Sequence, residues 1–144
     1  MNHAHIAHES GHATVAKHLG YNASITNFDD RPRTNFNPPI WELPEGSSQM
    51  PREHRLLIWA AGRAALELMG AGNPCEGFAD DESNMRHLCC SEEEIGRYVR
   101  DARQIIEDNR DKWRAMREKL RQRSGLDEQQ GLCWIEIDEI WDQS

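Results

Sequence analysis

Long apolar runs are missing from this 144-residue sequence. The longest nearly uninterrupted one, residues 56–62, is far short of the ~20 residues that a membrane-spanning helix needs. No membrane span is expected. The N-terminus also lacks the charged-then-apolar pattern of a secretory leader, so the expected compartment is the cytoplasm. Cationic charge is scarce: 17 Lys and Arg stand against 25 Asp and Glu, a formal net charge of −8. Such a surface repels polyanions on average, which argues against nucleic acid as a partner. The four cysteines (Cys75, Cys89, Cys90 and Cys133) form no C-x-x-C pair and match no zinc-finger spacing, so they read as reduced thiols rather than as a structural metal site. Adjacent Cys89 and Cys90 read as ordinary cysteines on the same ground, because reactivity requires an electropositive setting. There is no G-x-x-x-x-G-K-[ST] phosphate loop, no internal repeat and no low-complexity segment. The length suits a single domain spanning residues 1–144, with a core that needs no disulfide.

What is present reads as mainly helical. Residues 3–19 carry few breakers and end at Gly20 and Asn22, the pattern of a helix closed by a left-handed cap. From Ser24 to Gly46 the composition turns to Asn, Asp, Arg and Pro, which predicts mostly loop with a short strand over 24–28 or a small hairpin. A second helix is predicted from Ser48 to Met69, with Pro51 in its first turn. Its apolar residues surround it almost completely, as in a buried central helix, and Gly62 with the flanking alanines admits a close neighbour. A further helix is expected over 80–90. Ser91 followed by Glu92, Glu93 and Glu94 reads as an N-cap with an acidic first turn. One long helix should follow, striped by Ile95, Val99, Ala102, Ile106, Asn109, Trp113, Met116 and Leu120, and stopped at Ser124 and Gly125. The last apolar segment, residues 132–141, fits either a short helix or a strand.

The chemistry concentrates in His8-Glu9-Ser10-Gly11-His12, an H-E-x-x-H pattern on the first predicted helix. Four residues along a helix amount to a rotation of only ~40°, so both imidazoles leave one face and can bind one zinc ion at ~2.0–2.1 Å. Glu9, one residue on, points beside the metal and can act as general base on a zinc-bound water, whose pKa falls to about 7. By composition the pattern would arise by chance in roughly three such chains per hundred, so its placement on an independently predicted helix carries weight.

A catalytic zinc keeps one position for water and takes a third protein ligand from elsewhere. No H-E-x-x-H-x-x-G-x-x-H extension exists, which removes the metzincin reading. His18, His54 and His87 are candidates, while His3 and His5 read as terminal residues. The acidic pair Asp80 and Asp81, after a Gly-rich loop at the start of a predicted helix, is the better oxygen source. No His, Tyr or Arg is assigned to oxyanion stabilisation; Tyr21 and Arg63 are merely nearby in the chain.

These residues resemble the FtsH-type peptidase family, the zinc protease domain of membrane-anchored AAA+ proteases. His8-Glu9-Ser10-Gly11-His12-Ala13 with Val15-Ala16 is similar to the family's HEAGHA block. Ala61-Gly62-Arg63-Ala64-Ala65-Leu66-Glu67-Leu68 resembles its GGRAAEEL helix, and Gly77-Phe78-Ala79-Asp80-Asp81 falls at its Gly-Ala-Ser-Asn-Asp turn. The resemblance implies that Asp81 is the third zinc ligand beside His8 and His12, with Asp80 as the alternative because the loop departs from the family's. The segments 92–95 and 105–110 resemble the family's C-terminal helices.

The resulting expectation is a zinc-dependent metalloendopeptidase that hydrolyses unfolded or flexible polypeptides, ATP-independent on its own. Its partners would be a polypeptide substrate, with a separate ATPase or a second copy bound through the long C-terminal helix. The rival expectation is a non-catalytic zinc-binding interaction module that keeps the peptidase fold, with the long helix and the apolar tail as its partner surface.

Overall fold

The computed structural model describes residues 1–28, 31–41, 49–70, 76–88, 91–123 and 131–143. Expectations for Cys75, Cys89, Cys90, the helix start at Ser48 and the stop at Ser124 and Gly125 lie outside the described residues. Six helices and one two-stranded antiparallel sheet make up the described part, a mainly α fold with a short hairpin.

Helix α1 (His3–His18) begins where the Asn2 side chain accepts from the His5 amide at 2.8 Å. It ends in the expected left-handed cap: Gly20 has φ +95°, and the Tyr21 amide donates back to the Ala16 carbonyl at 2.9 Å. Every residue from Ile6 to Ala16 is buried. Its polar members are therefore inside the molecule and need partners. Ser10 Oγ donates to the Ile6 carbonyl at 2.6 Å and accepts from Trp113 Nε1 at 3.0 Å, while Thr14 donates to the Ser10 carbonyl at 2.8 Å.

Helix α2 (Arg52–Leu68) packs against α1, with the His8 ring against Gly62 and the His12 ring against the Ile58 carbonyl. Pro51 stands at its N-cap, one position before the expected first turn. The small residues set how closely the helices approach. A Cβ on Gly11 would lie 2.7 Å from Ala65 Cβ and 2.9 Å from the Ala61 carbonyl oxygen.

Strands β1 (Asn22–Phe28) and β2 (Arg31–Asn37) form the sheet, in register from Asn22 opposite Asn37 to Phe28 opposite Arg31. The small hairpin expected in this segment is present, its second strand taking residues 31–37 of the predicted loop. Its composition is polar and it contains Pro32, which a strand at a sheet edge tolerates because no further strand needs the missing amide. The other edge of β1 is closed by Leu132, which exchanges backbone hydrogen bonds with Ile25 at 2.8 and 2.9 Å.

Helix α3 (Glu76–His87) starts four residues earlier than the sequence predicts, so Asp80 and Asp81 lie within it rather than at its start. Helix α4 (Glu92–Asp108) opens with the expected cap, Ser91 and Glu94 exchanging hydrogen bonds at 3.2 Å. The single long helix is corrected to two, α4 and α5 (Arg110–Arg123), broken at Asn109. There the backbone moves to φ −116°, ψ 30°, and the Asn109 side-chain amide donates to the Ile105 carbonyl at 2.8 Å, competing with the main-chain ladder. The stripe nonetheless stays in register: Ile95, Val99, Ala102, Ile106, Trp113, Met116 and Leu120 are all buried in the chain's own core. The last segment is helix α6 (Trp134–Asp142), with Ile137 and Ile140 buried and Trp134 and Ile135 exposed. No helix among the described residues is long and apolar enough to cross a membrane.

Candidate metal centre

The site is built where α1, α2, α3 and β2 meet. His8 and His12 project from the same face of α1, their Nε2 atoms 2.9 Å apart, with ring centroids at 4.6 Å. From α3, Asp81 brings Oδ2 to 3.1 Å from both of these nitrogens. Glu9 Oε1 lies 3.9 Å from His8 Nε2. His8, Glu9 and His12 form a buried group that could hold a metal ion. Of the two carboxylates, Asp81 is the nearer to the imidazoles and Glu9 stands to one side.

Neighbouring elements fix each group. His12 Nδ1 lies 2.6 Å from the Ile58 carbonyl oxygen, and a carbonyl only accepts, so Nδ1 carries the hydrogen. In the neutral ring this leaves a lone pair on Nε2, aimed at His8 and Asp81. His8 sits in the space left by Gly62, where an added Cβ would lie 2.4 Å from the imidazole Cε1. The Thr34 hydroxyl, from β2, reaches Glu9 Oε2 at 2.5 Å and the Glu9 carbonyl at 3.0 Å. Oε1 is left facing the cluster. Burial opposes ionisation of Asp81, but the charges and hydrogen bonds of His12 and His8 outweigh it and hold its carboxyl below the usual value.

The donor set fits a tetrahedral divalent metal. Two imidazole nitrogens and a carboxylate oxygen are borderline ligands suited to zinc, and their separations of 2.9, 3.1 and 3.1 Å lie close to the spacing of roughly 3.3 Å between donors in a tetrahedral zinc site. An imidazole nitrogen facing a carboxylate oxygen at 3.1 Å needs a cation between them, either a proton, as in the ion pair that lowers the Asp81 pKa, or a metal. A metal ion would satisfy the His8, His12 and Asp81 donors together.

The other candidates are elsewhere. His18 occupies the last position of the extended metzincin spacing, but Val15 stands where that pattern has its helix-ending glycine. Helix α1 therefore continues through His18 and carries its ring away to Asn109 Nδ2, at 3.1 Å. His54 Nδ1 lies 2.5 Å from the Tyr21 hydroxyl, and Arg63 faces Glu67 at 3.4 Å, so Tyr21 and Arg63 are engaged elsewhere. His3, His5 and His87 make no ring contact with the cluster among the described residues, and exposed Asp80 pairs with neither imidazole.

The cluster forms the floor of a cleft of about 620 Å³ lined by β2 and by Ile40, Trp41, Trp59, Asp80 and Asn84, among others. Phe36 stands edge-on to His12 with ring centroids 6.5 Å apart. The sequence reading missed Thr34, because a threonine in a polar, proline-containing segment carries no spacing signal. It also missed the Ile58 carbonyl, since a main-chain acceptor leaves no trace in residue identity. Gly62 was legible as a close-approach position, although not as the seat of a ligand.

Neither protein-family models nor curated proteins give a match to this chain.

Proposed function

We propose that this chain is a zinc-dependent metallopeptidase that hydrolyses peptide bonds in unfolded or flexible polypeptides. The observation that carries the reading is the meeting of His8 Nε2, His12 Nε2 and Asp81 Oδ2 within 3.1 Å of one another, with the Glu9 carboxylate beside them on an open cleft. Resemblance to the FtsH-type peptidase blocks supports the same residues in the same roles.

His8, His12 and Asp81 would hold the ion, with Ile58 keeping His12 in the tautomer that offers Nε2. When bound, zinc would polarise the scissile carbonyl and bring a water to a pKa of about 7. Glu9 then acts as the base. Its Oε2 is occupied by the Thr34 hydroxyl, so Oε1 is the atom that takes the proton and later returns it to the leaving amine. The Thr34 bond would hold that carboxylate in place beside the metal donors. Strand β2 runs along the cleft with its outer edge unpaired by any strand among the described residues, a surface along which an extended polypeptide can lie. An extended segment is the form that pairs with a strand edge, which favours flexible segments over folded domains, and the sequence contains no phosphate loop to drive unfolding. The free thiol of Cys133 and the intracellular role of the resembled family favour the cytoplasm.

Glu9→Gln tests the assignment. Stoichiometric zinc should remain while cleavage of casein falls by ~10²–10⁴-fold, the usual worth of a positioned general base. Cleavage that survives the change removes Glu9 as base. Zinc binding with no cleavage even by the unaltered chain supports the interaction module instead.

A further inference from the structure

Two features of the cleft are not used by the hydrolytic groups. The first is Trp41, 59% exposed, whose ring lies 6.0 Å from that of Trp59 at a tilt of 52°. Trp59 is itself buried, and it follows Ile58, whose carbonyl anchors His12, so this aromatic wall is fixed relative to the metal donors. Buried Ile40 lines the same cleft. An indole held on a rigid partner and left open to the cleft offers a large flat apolar surface at little further ordering cost. Aromatic rings meet such surfaces in tilted or offset arrangements, as these two already do.

The second is Arg33, which precedes the Glu9 partner Thr34 in β2. It is exposed, lines the cleft, and has no carboxylate within ion-pair distance among the described residues. Elsewhere Arg52, Arg86, Arg103, Arg121 and Arg123 each face a glutamate. Among the residues lining the cleft, Arg33 is the one Lys or Arg, set against the carboxylates of Glu9, Asp80 and Asp81. Its planar fork matches a carboxylate.

We propose that the cleft selects polypeptide segments that lay an aromatic side chain on Trp41 and present a nearby carboxylate to Arg33. This rests on the reading that a polypeptide occupies the cleft, and it names which polypeptides do. Neither side chain touches the reacting atoms in this account; both are specificity-determining residues.

The test is binding without turnover. Zinc-loaded protein carrying Glu9→Gln is titrated into fluorescein-labelled decapeptides of Gly and Ser that hold one Phe and one Glu, with Glu placed one to four positions on either side of Phe, and anisotropy is read. The best Phe/Glu peptide should bind at least tenfold more tightly than its Phe→Ala or Glu→Lys counterpart. Adding Trp41→Ala should erase the Phe advantage while leaving the Glu advantage. Adding Arg33→Glu should reverse the preference to Lys. Thermal melts show whether the variants remain folded, as expected for two exposed positions. Absence of peptide binding, or selectivity that persists in both variants, overturns the proposal. Cleavage by the unaltered chain then separates the two ideas. Selective binding with no cleavage removes the peptidase reading alone, and cleavage that is indifferent to Trp41 and Arg33 removes the selectivity alone.

Discussion

His12 Nδ1 lies 2.6 Å from the carbonyl oxygen of Ile58, a main-chain group at the centre of the helix packed against its own. This bond sets both the ring's orientation and its tautomer, and so ties the donor atom Nε2 to the helix–helix core. His12→Ala and Asp81→Ala should each weaken zinc binding by at least ~100-fold in chelator competition, because each removes a donor whose position the fold has already fixed. Asp80→Ala should leave it within a factor of about two, since that side chain faces neither imidazole. Stoichiometric, tightly held zinc in Asp81→Ala would move the third ligand elsewhere.

In the proposed mechanism Thr34 acts through Glu9 and not on substrate. With its hydroxyl gone, Oε2 loses the donor at 2.5 Å and the carboxylate is freer to rotate. Thr34→Val should therefore lower kcat by about tenfold, part of the ~10²–10⁴ that a positioned base supplies, with KM and zinc content little changed. Thr34→Ser keeps the donor and should restore most of the rate. A loss shared equally by the valine and serine variants would point to packing rather than to the hydroxyl.

Gly62 and Gly96 provide a matched pair within helices. A methyl on Gly62 would meet His8 atoms at 2.4 to 2.7 Å, whereas one on Gly96 meets nothing within 4 Å. Gly62→Ala must displace the ligand ring or part the helices, at a cost of about 1–3 kcal/mol, and should weaken zinc binding as well. Gly96→Ala should stabilise the protein by roughly 0.5–1 kcal/mol through the better helix propensity of alanine, with no effect on the metal. Chemical denaturation with and without zinc measures both.

Much of this architecture could be read from local pattern. The HExxH helix, its Gly20 stop, the all-round burial of α2 and the Ser91 cap depend on nearest neighbours and periodicity, which sequence displays directly. The site's oxygen donor was narrowed to Asp80 and Asp81 but not separated from the residues alone, because adjacent positions on a helix differ by ~100° in direction and only the packing of α3 decides which one faces inward. The break at Asn109 was hidden for a related reason. The apolar stripe runs through it without a phase shift, and the competing side-chain bond to Ile105 belongs to one asparagine whose helical and non-helical states are close in energy. Strand β2 was obscured because Pro32, Asn35 and Asn37 are poor strand formers, tolerated in a strand whose outer edge is paired with no strand among the described residues.

Glu136 offers a pH test that is independent of the metal. Its carboxylate receives Arg123 Nη1 at 2.8 Å and a second bond from Nη2, and it also accepts the Cys133 amide at 3.1 Å, joining α5 to the start of α6. The Arg123 bonds are the main cause that lowers its pKa from 4.5 to about 2, against the opposing effect of burial. A carboxyl with a depressed folded-state pKa contributes stability that is fully present above its unfolded value and is lost as pH falls towards the folded one. Glu136→Gln should thus cost about 1 kcal/mol at pH 7, a modest figure because the pair is partly solvated. The gap to the unaltered protein should hold down to about pH 5 and close between about 4.5 and 2, where the native glutamate itself is neutralised. Urea midpoints of the two proteins at matched pH isolate this group, since every other titrating residue is common to both. A gap that persists undiminished near pH 2 would show that the glutamine variant is destabilised by packing and not by loss of the charged pair with Arg123.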